Sequence, residues 1–177
     1  MQALYKKLKK QFSLGELTEQ RDDLAFITIK QEKLRPLLMH LRDVEGYSHL
    51  VILTAVDWLE ESIFQLTYLI SNRTEAKDIG LRVMLKRDKA TMESIHDIWP
   101  TAATYQRELR EMFGIDFPDS PRVNDDFILE GWNDIPPYRR DFDTLKYSKE
   151  SFAQRPGRET KDPAEHMKQQ LYPDGAK

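Results

Sequence analysis

Apolar residues recur at helical spacing in several segments of the chain, and this pattern predicts amphipathic helices. The clearest example runs from Leu34 to Val44, with Pro36 in its first turn and Gly46 after its last apolar residue. A shorter pattern around Leu8 predicts an N-terminal helix whose remaining side carries lysines. A membrane-surface role is one interpretation of that helix. We expect it instead to dock on its own domain, because it is short and lacks tryptophan.

Four segments between and after these helices have strand patterns. Leu24 to Lys30 is rich in β-branched and aromatic residues. Leu50 to Val56 is a continuous apolar run, which is typical of a strand covered on both faces. Phe64 to Ile70 alternates and should return antiparallel through a hairpin-like link, and Leu81 to Leu85 supplies a further strand. The order predicts an α+β fold, a largely antiparallel mixed sheet with helices packed on it.

A second clear helix is predicted from Tyr105 to Phe113, between Pro100-Thr101 at its start and Gly114 at its end. The opposite face is charged, and a pair such as Arg107 with Glu111 would lie on a solvated surface. The charged residues are Arg107, Glu108, Arg110 and Glu111. Spacing also predicts a short preceding helix, with its apolar residues at Met92, Ile95 and Ile98.

The composition changes after Phe117. Seven of the nine prolines follow this point, and no long apolar periodicity remains. We therefore divide the chain into a core domain, residues 1–117, and an extended C-terminal arm with a polar tail, residues 118–177. The arm is expected to become ordered on a partner through about Phe152, whereas the segment beyond is either arm or a disordered tail. The aromatic anchors are Phe117, Phe127, Trp132, Tyr138, Phe142, Tyr147 and Phe152.

Composition and charge narrow the function classes. A net charge of −3 and a pI near 5.9 do not favour general nucleic-acid binding. The chain has no cysteine, so it has no thiolate for an iron–sulfur cluster, a disulfide or a cysteine nucleophile. No apolar run approaches the ~20 residues that span a bilayer. We expect a cytoplasmic chain, held near a membrane only through other subunits.

Candidate catalytic and metal-binding residues form no recognisable motif. The four histidines are widely spaced and are expected to be surface or packing residues; they are His40, His49, His96 and His166. Asp125-Asp126 with Glu130 matches no calcium loop, and a solvated acidic turn is the favoured interpretation. No glycine-rich phosphate loop or nucleophile elbow is present. The sequence therefore predicts no catalytic, cofactor or metal site.

One ordered set of motifs resembles a known family. Trp99-Pro100-Thr101-Ala102 comes first, followed by Gln106-Arg107-Glu108 and Glu111-Met112-Phe113-Gly114-Ile115. Trp132 and Arg139-Arg140-Asp141-Phe142 close the set. Together these residues are similar to the 30 kDa subunit of respiratory complex I, known in bacteria as the C subunit, and to its relatives in membrane-bound nickel–iron hydrogenases. The resemblance covers approximately Leu24 to Phe142.

The resemblance implies an accessory subunit without its own cofactor. It would pack on the large catalytic subunit, 49 kDa-like or hydrogenase large-like, and lie near the small iron–sulfur subunit. Iron–sulfur clusters and a flavin or nickel–iron centre would belong to those partners, and the location would be peripheral on the inner face of the cell membrane. A free-standing adaptor or a small enzyme outside any redox complex is the alternative.

The resemblance also directs attention to a predicted partner interface in the arm. Two guanidinium groups beside a carboxylate suit pairing with acidic groups on another protein, although a solvated charge cluster has the same composition. The predicted interface residues are Phe127, Trp132, Tyr138, Arg139, Arg140, Asp141 and Phe142. Three departures from the family pattern favour a hydrogenase-like or other divergent member. They are Gln106 in place of Glu, Ser120-Pro121 in place of His-Pro, and Asp125-Asp126 in a loop that is often basic.

Overall fold

The computed structural model describes residues 1–153 and 162–171, and the chain separates into two units, Met1–Phe142 and Asp143–Lys177. The first unit contains three helices and five strands: α1 (Gln2–Lys9), β1 (Leu14–Arg21), β2 (Leu24–Ile29), α2 (Gln31–Asp43), β3 (His49–Trp58), β4 (Ile63–Asn72), β5 (Lys77–Lys86) and α3 (Ala102–Phe113). The second unit contains α4 (Thr144–Ser151) and α5 (Pro163–Leu171).

The five strands form one sheet in the order β1-β2-β5-β4-β3. Only the β2–β5 pair is parallel, and the β3–β4 pair is antiparallel as the sequence predicts. The predicted α+β class with a largely antiparallel mixed sheet is confirmed. Strand β1 is absent from the sequence prediction, because it is an edge strand whose mostly exposed, charged residues give no clear alternation.

The core lies between one face of the sheet and the helices. Helix α2 contributes leucines that are fully buried, and it packs against β5, while α3 packs against β3. The N-terminal helix α1 also docks on this unit as predicted: Leu8 is fully buried, and the Tyr5 hydroxyl donates to the Gly15 carbonyl. Alternating residues of β4 point into this core, which explains the period of two in its sequence; they are Phe64, Leu66, Tyr68 and Ile70.

Two predicted local structures are wrong. Strand β3 is not covered on both faces, because it is the outermost strand and every second side chain beyond its bulge remains exposed. Met92, Ile95 and Ile98 form no helix, although all three side chains are buried. The Met92 N–H donates to the Asp116 carbonyl, so this backbone pairs with the segment after α3 instead of with itself. An irregular segment facing a core can mimic helical spacing.

The division between the units also differs from the predicted one. The structure places it after Phe142 instead of after Phe117. Residues 118–142, which we call the wrapping segment, contain no helix or strand and lie on the first unit. Ser120 and Val123 are buried there, so this part of the predicted arm helps to complete the domain.

Candidate functional site

The charged side of α3 binds the wrapping segment. The Glu111 carboxylate accepts two backbone hydrogen bonds, from the N–H of Phe127 at 2.6 Å and from that of Ile128 at 3.0 Å. The Arg107 guanidinium lies 5.2 Å from the centroid of the Phe127 ring. Glu111 thus holds an irregular backbone in place, instead of pairing on a solvated surface with Arg107 as predicted. Such backbone groups need a partner, since a segment without helix or strand supplies none of its own.

The end of α3 provides a second attachment. Gly114 has φ +77°, a left-handed conformation that ends the helix and favours glycine, and the Pro136 ring lies beside it. Phe113 makes an edge-to-face contact with Tyr138, at 5.7 Å between ring centroids. The Tyr138 N–H donates to the Met112 carbonyl, which satisfies an acceptor in the last turn of the helix. Ile115, the last residue of the signature, is fully buried. Glu108 is half-buried on the same helix.

The end of the wrapping segment is fixed by a set of charged groups that we call the clamp: Asp57, Arg87, Asp141 and the backbone N–H of Arg140. Asp57 ends the apolar run of β3, and its side chain is 1% exposed. Its two carboxylate oxygens bind Arg87 at 2.9 and 3.1 Å, and one also accepts the Arg140 N–H at 2.9 Å. Arg87 binds Asp141 at 2.6 Å with a further N–H.

The clamp changes the protonation of its members. Hydrogen bonds to Asp57 and Asp141 raise the pKa of Arg87 above its already high value, so this guanidinium stays charged. The hydrogen bond from Arg87 lowers the pKa of Asp141 below its ordinary value. Charge-assisted, bidentate hydrogen bonds with little solvent around them are strong for their kind. The clamp is therefore an ionic attachment between strand β3 and residues that lie far from it in sequence.

The remaining predicted interface residues lie around the clamp. The Arg140 side chain reaches Glu60 at 2.6 Å, and both groups are more than half exposed. Arg139 lies 3.4 Å from Asp141, and its guanidinium is 5.9 Å from the centroid of Phe64. Trp132 and Phe142 pack edge to face at 5.5 Å. The structure thus brings together Phe127, Tyr138, Arg139, Arg140 and Asp141 through contacts within the chain itself.

Two departures from the family pattern meet in the core. Gln106 is fully buried, and its carbonyl oxygen accepts from Ser120 Oγ at 2.7 Å and from Ser94 Oγ at 2.8 Å. The Ser94 oxygen lies 2.9 Å from Nδ1 of His96. The positions at which the family usually has Glu and His therefore hold two neutral groups in direct contact. A neutral pair avoids the desolvation cost of a buried charge.

No chemistry beyond attachment emerges from these residues. Among residues 1–153 and 162–171, no group of three or more histidines, aspartates or glutamates is arranged to hold a metal ion. Asp125 pairs with Arg122, and His40 contacts Glu45. No helix in the described part of the chain is long and apolar enough to cross a membrane. His166 and the end of the predicted tail lie outside what the structure describes.

Asp57 and Arg87 are functional residues that sequence reasoning missed. Asp57 has one signal, a charged residue directly after an apolar strand. Arg87 has none, because it follows β5 in a loop among other charged residues. Their partners are 83 positions away for Asp57 and 54 for Arg87, so no local pattern could reveal the contact.

The comparisons with known proteins agree on one family. The family described as "Respiratory-chain NADH dehydrogenase, 30 Kd subunit" matches residues 27–148. The C subunit of NADH-quinone oxidoreductase from Citrifermentans bemidjiense is 30% identical over 139 residues, which cover 77% of this chain and 85% of that protein. The same subunit from Rhodobacter capsulatus is 34% identical over 139 residues, covering 75% of this chain and 63% of that protein.

Solved structures share the fold. A chain of the membrane-bound sulfane sulfur reductase, an archaeal respiratory membrane complex, superposes with a TM-score of 0.78 at 24% identity. That match covers 90% of this chain and 98% of the other. A trypsin-resistant fragment of Nqo5 has a TM-score of 0.56 at 17% identity, covering 68% of this chain and 96% of the fragment.

Proposed function

The chain belongs to the family of the 30 kDa subunit of respiratory-chain NADH dehydrogenase, and from this membership we propose that it is a cofactor-free accessory subunit of a complex I-like or membrane-bound hydrogenase-like oxidoreductase. Its role is mechanical: it holds the wrapping segment in a fixed path and presents it to the subunits that carry electrons. The relatives are subunits of multi-subunit respiratory complexes.

One observation carries this proposal. The signature residues Arg107, Glu111, Phe113 and Gly114 all attach the wrapping segment to helix α3, and none converges on a cavity with catalytic groups. Backbone hydrogen bonds and stacked rings fix a surface without chemistry of its own. Residues that the fixed segment leaves exposed are then available to a partner, and three apolar examples are Ile128, Ile135 and Tyr138.

The partners we propose are the large catalytic subunit, 49 kDa-like or hydrogenase large-like, and the small iron–sulfur subunit. A relative from Aquifex aeolicus supports the first: its name gives it as a C/D subunit of NADH-quinone oxidoreductase, and the match covers 22% of its length. Iron–sulfur clusters and a flavin or nickel–iron centre would lie in those partners. The chain would then be peripheral on the cytoplasmic face of the cell membrane, attached through the complex.

Purification of the tagged full chain from solubilised membranes tests the proposal. Redox subunits should accompany the wild type. They should be recovered less well with the double variant Arg139→Ala/Arg140→Ala, whereas Arg21→Ala, which removes an exposed charge on β1, serves as a control. The double variant should melt close to the wild type, because the Arg140 N–H still binds Asp57. Equal recovery of the partners would place both arginines on a solvated surface.

The same preparation separates the remaining alternatives. A lone chain with an activity of its own would support a small enzyme, and a lone inactive chain would support a free-standing adaptor. Nickel analysis, flavin analysis and NADH oxidation by the purified complex distinguish a hydrogenase-like assembly from an NADH-oxidising one.

A further inference from the structure

The face of the sheet opposite α2 and α3 is apolar, and the described part of the chain leaves it uncovered. We call it the open face: Ile52, Thr54, Val56 and Trp58 of β3, with their cross-strand neighbours on β4, β5 and β2. Ile52, Val56 and Trp58 are each about two-fifths exposed, and so is Met84 of β5, one strand further on. Val56, Gln65 and Met84 form one row across three strands.

Strand β3 has the sequence of a buried strand at the edge of this face. Leu50 to Val56 contains no charged residue, although the outer edge of β3 pairs with no strand in the described chain. The other edge strand, β1, carries exposed charges and two register shifts, which are the usual protection of a free edge. A continuous apolar run is typical of a strand covered on both faces. The second cover of β3 must therefore come from outside this chain.

Arg82 gives the cover a chemical requirement. It lies on the open face in a row with Thr54, Thr67 and Thr28, and it forms no ion pair with any described residue. Its guanidinium stacks on Phe26 at 4.1 Å from the ring centroid, and its Nε is buried without a hydrogen-bond partner in the described chain. Phe26 in turn fills the space above Gly80, where an added Cβ would lie 2.3 Å from the ring.

A groove continues the open face at one end. Its cavity is about 830 Å³, and Thr28, Met84 and Lys86 line it together with residues of the loops after β2 and β5. Three lysines, Lys30, Lys86 and Lys89, face two acidic residues there, Glu32 and Asp88. The groove walls are otherwise largely apolar, so its charge has the same sign as Arg82. An occupant of both surfaces needs apolar groups and carboxylates.

We propose that the open face is the docking surface for a segment of a redox subunit of the same complex, one that presents apolar side chains to β3 and a carboxylate to Arg82. This inference rests on the proposed function and adds the surface and the chemistry of the contact. Stacking on Phe26 holds the guanidinium in one place before binding, which lowers the entropy lost when a carboxylate pairs with it. Apolar contacts around that pair exclude water and strengthen it.

Recovery of redox subunits with tagged full-length variants tests the surface. Arg82→Glu and Val56→Asp should each lower recovery at least about tenfold, because each places a negative charge opposite a carboxylate or in an apolar contact. Arg82→Lys should retain part of the binding, since it keeps the charge without the planar stacking group. Arg21→Glu and Val44→Asp are matched controls away from the open face and should bind like the wild type. Thermal melting of each free variant checks its fold.

A photoreactive benzoylphenylalanine in place of Val56 identifies the occupant. The expected product is a crosslink to a redox subunit, within a peptide that contains Asp or Glu; the same group in place of Val44 should not form it. Crosslinks to lipid or to a second copy of this chain overturn the proposal, as does equal recovery with folded Arg82→Glu and Val56→Asp. If the wild-type chain itself recovers no redox subunit, the proposed function fails instead.

Discussion

Replacing Asp57 by Ala removes the centre of the clamp. The variant leaves Arg87 with Asp141 as its remaining carboxylate and leaves the Arg140 N–H without its acceptor. Removal of one member of a buried ion pair typically costs roughly 3 to 5 kcal/mol. Because Arg87 is 13% exposed and keeps one partner, we expect the lower end, about 3 kcal/mol. For a unit of this size that corresponds to roughly 6 to 12 °C in melting temperature.

Urea unfolding and thermal melting of the isolated chain measure this loss. Glu60→Ala is the matched control, since it removes the exposed carboxylate that pairs with Arg140 on the outside of the clamp, and it should leave the unfolding midpoint unchanged. The position after Arg140 should also become a faster trypsin site in Asp57→Ala, because the end of the wrapping segment is released. A midpoint for Asp57→Ala equal to that of Glu60→Ala would refute the reasoning and place the clamp among weak surface pairs.

Three further predictions follow from the same contacts. Truncation after Phe142 should leave cooperative unfolding intact, whereas truncation after Phe117 should lower the melting temperature, since it removes Ser120 and the clamp partners; equal melting of both would restore the boundary predicted from sequence. Asp141→Asn should reduce acid sensitivity: the folded pKa of Asp141 is lowered, so its contribution is present above the ordinary Asp pKa of about 3.9 and is lost as pH falls below it, as acid titration of both proteins will show. Gln106→Glu should cost about 2 kcal/mol or more at neutral pH. Burial raises the folded pKa of the new carboxyl, so the loss should grow as pH rises above about 4.3, and Ser120→His in the same chain should restore part of it; a loss independent of pH and of Ser120→His would contradict this.

The sequence by itself determined the elements whose side chains repeat against a core. Helix α3 begins near Thr101 and ends at Gly114 as predicted, and the β3–β4 pairing follows from two adjacent strand patterns. The motifs between Trp99 and Phe142 were enough to indicate the family. Local periodicity carries this information because neighbouring residues on one face share one environment.

Periodicity reports which side chains are buried but not where the backbone hydrogen bonds go. Met92, Ile95 and Ile98 are buried without a helix, because their backbone pairs with the segment after α3. Strand β1 has no clear pattern of its own and exists through its pairing with β2. In both cases a tertiary partner overrides the local preference.

Only the tertiary structure decided what the signature does. Sequence reasoning assigned the charged face of α3 to solvent and the arginines of the arm to another protein. In the fold, Glu111 accepts the backbone of Phe127 and Ile128, while Asp57 accepts the backbone of a residue 83 positions away. The physical reason is that an irregular segment must satisfy its N–H groups from distant side chains, and the identity of such partners depends on how the sheet places β3 beside the end of α3.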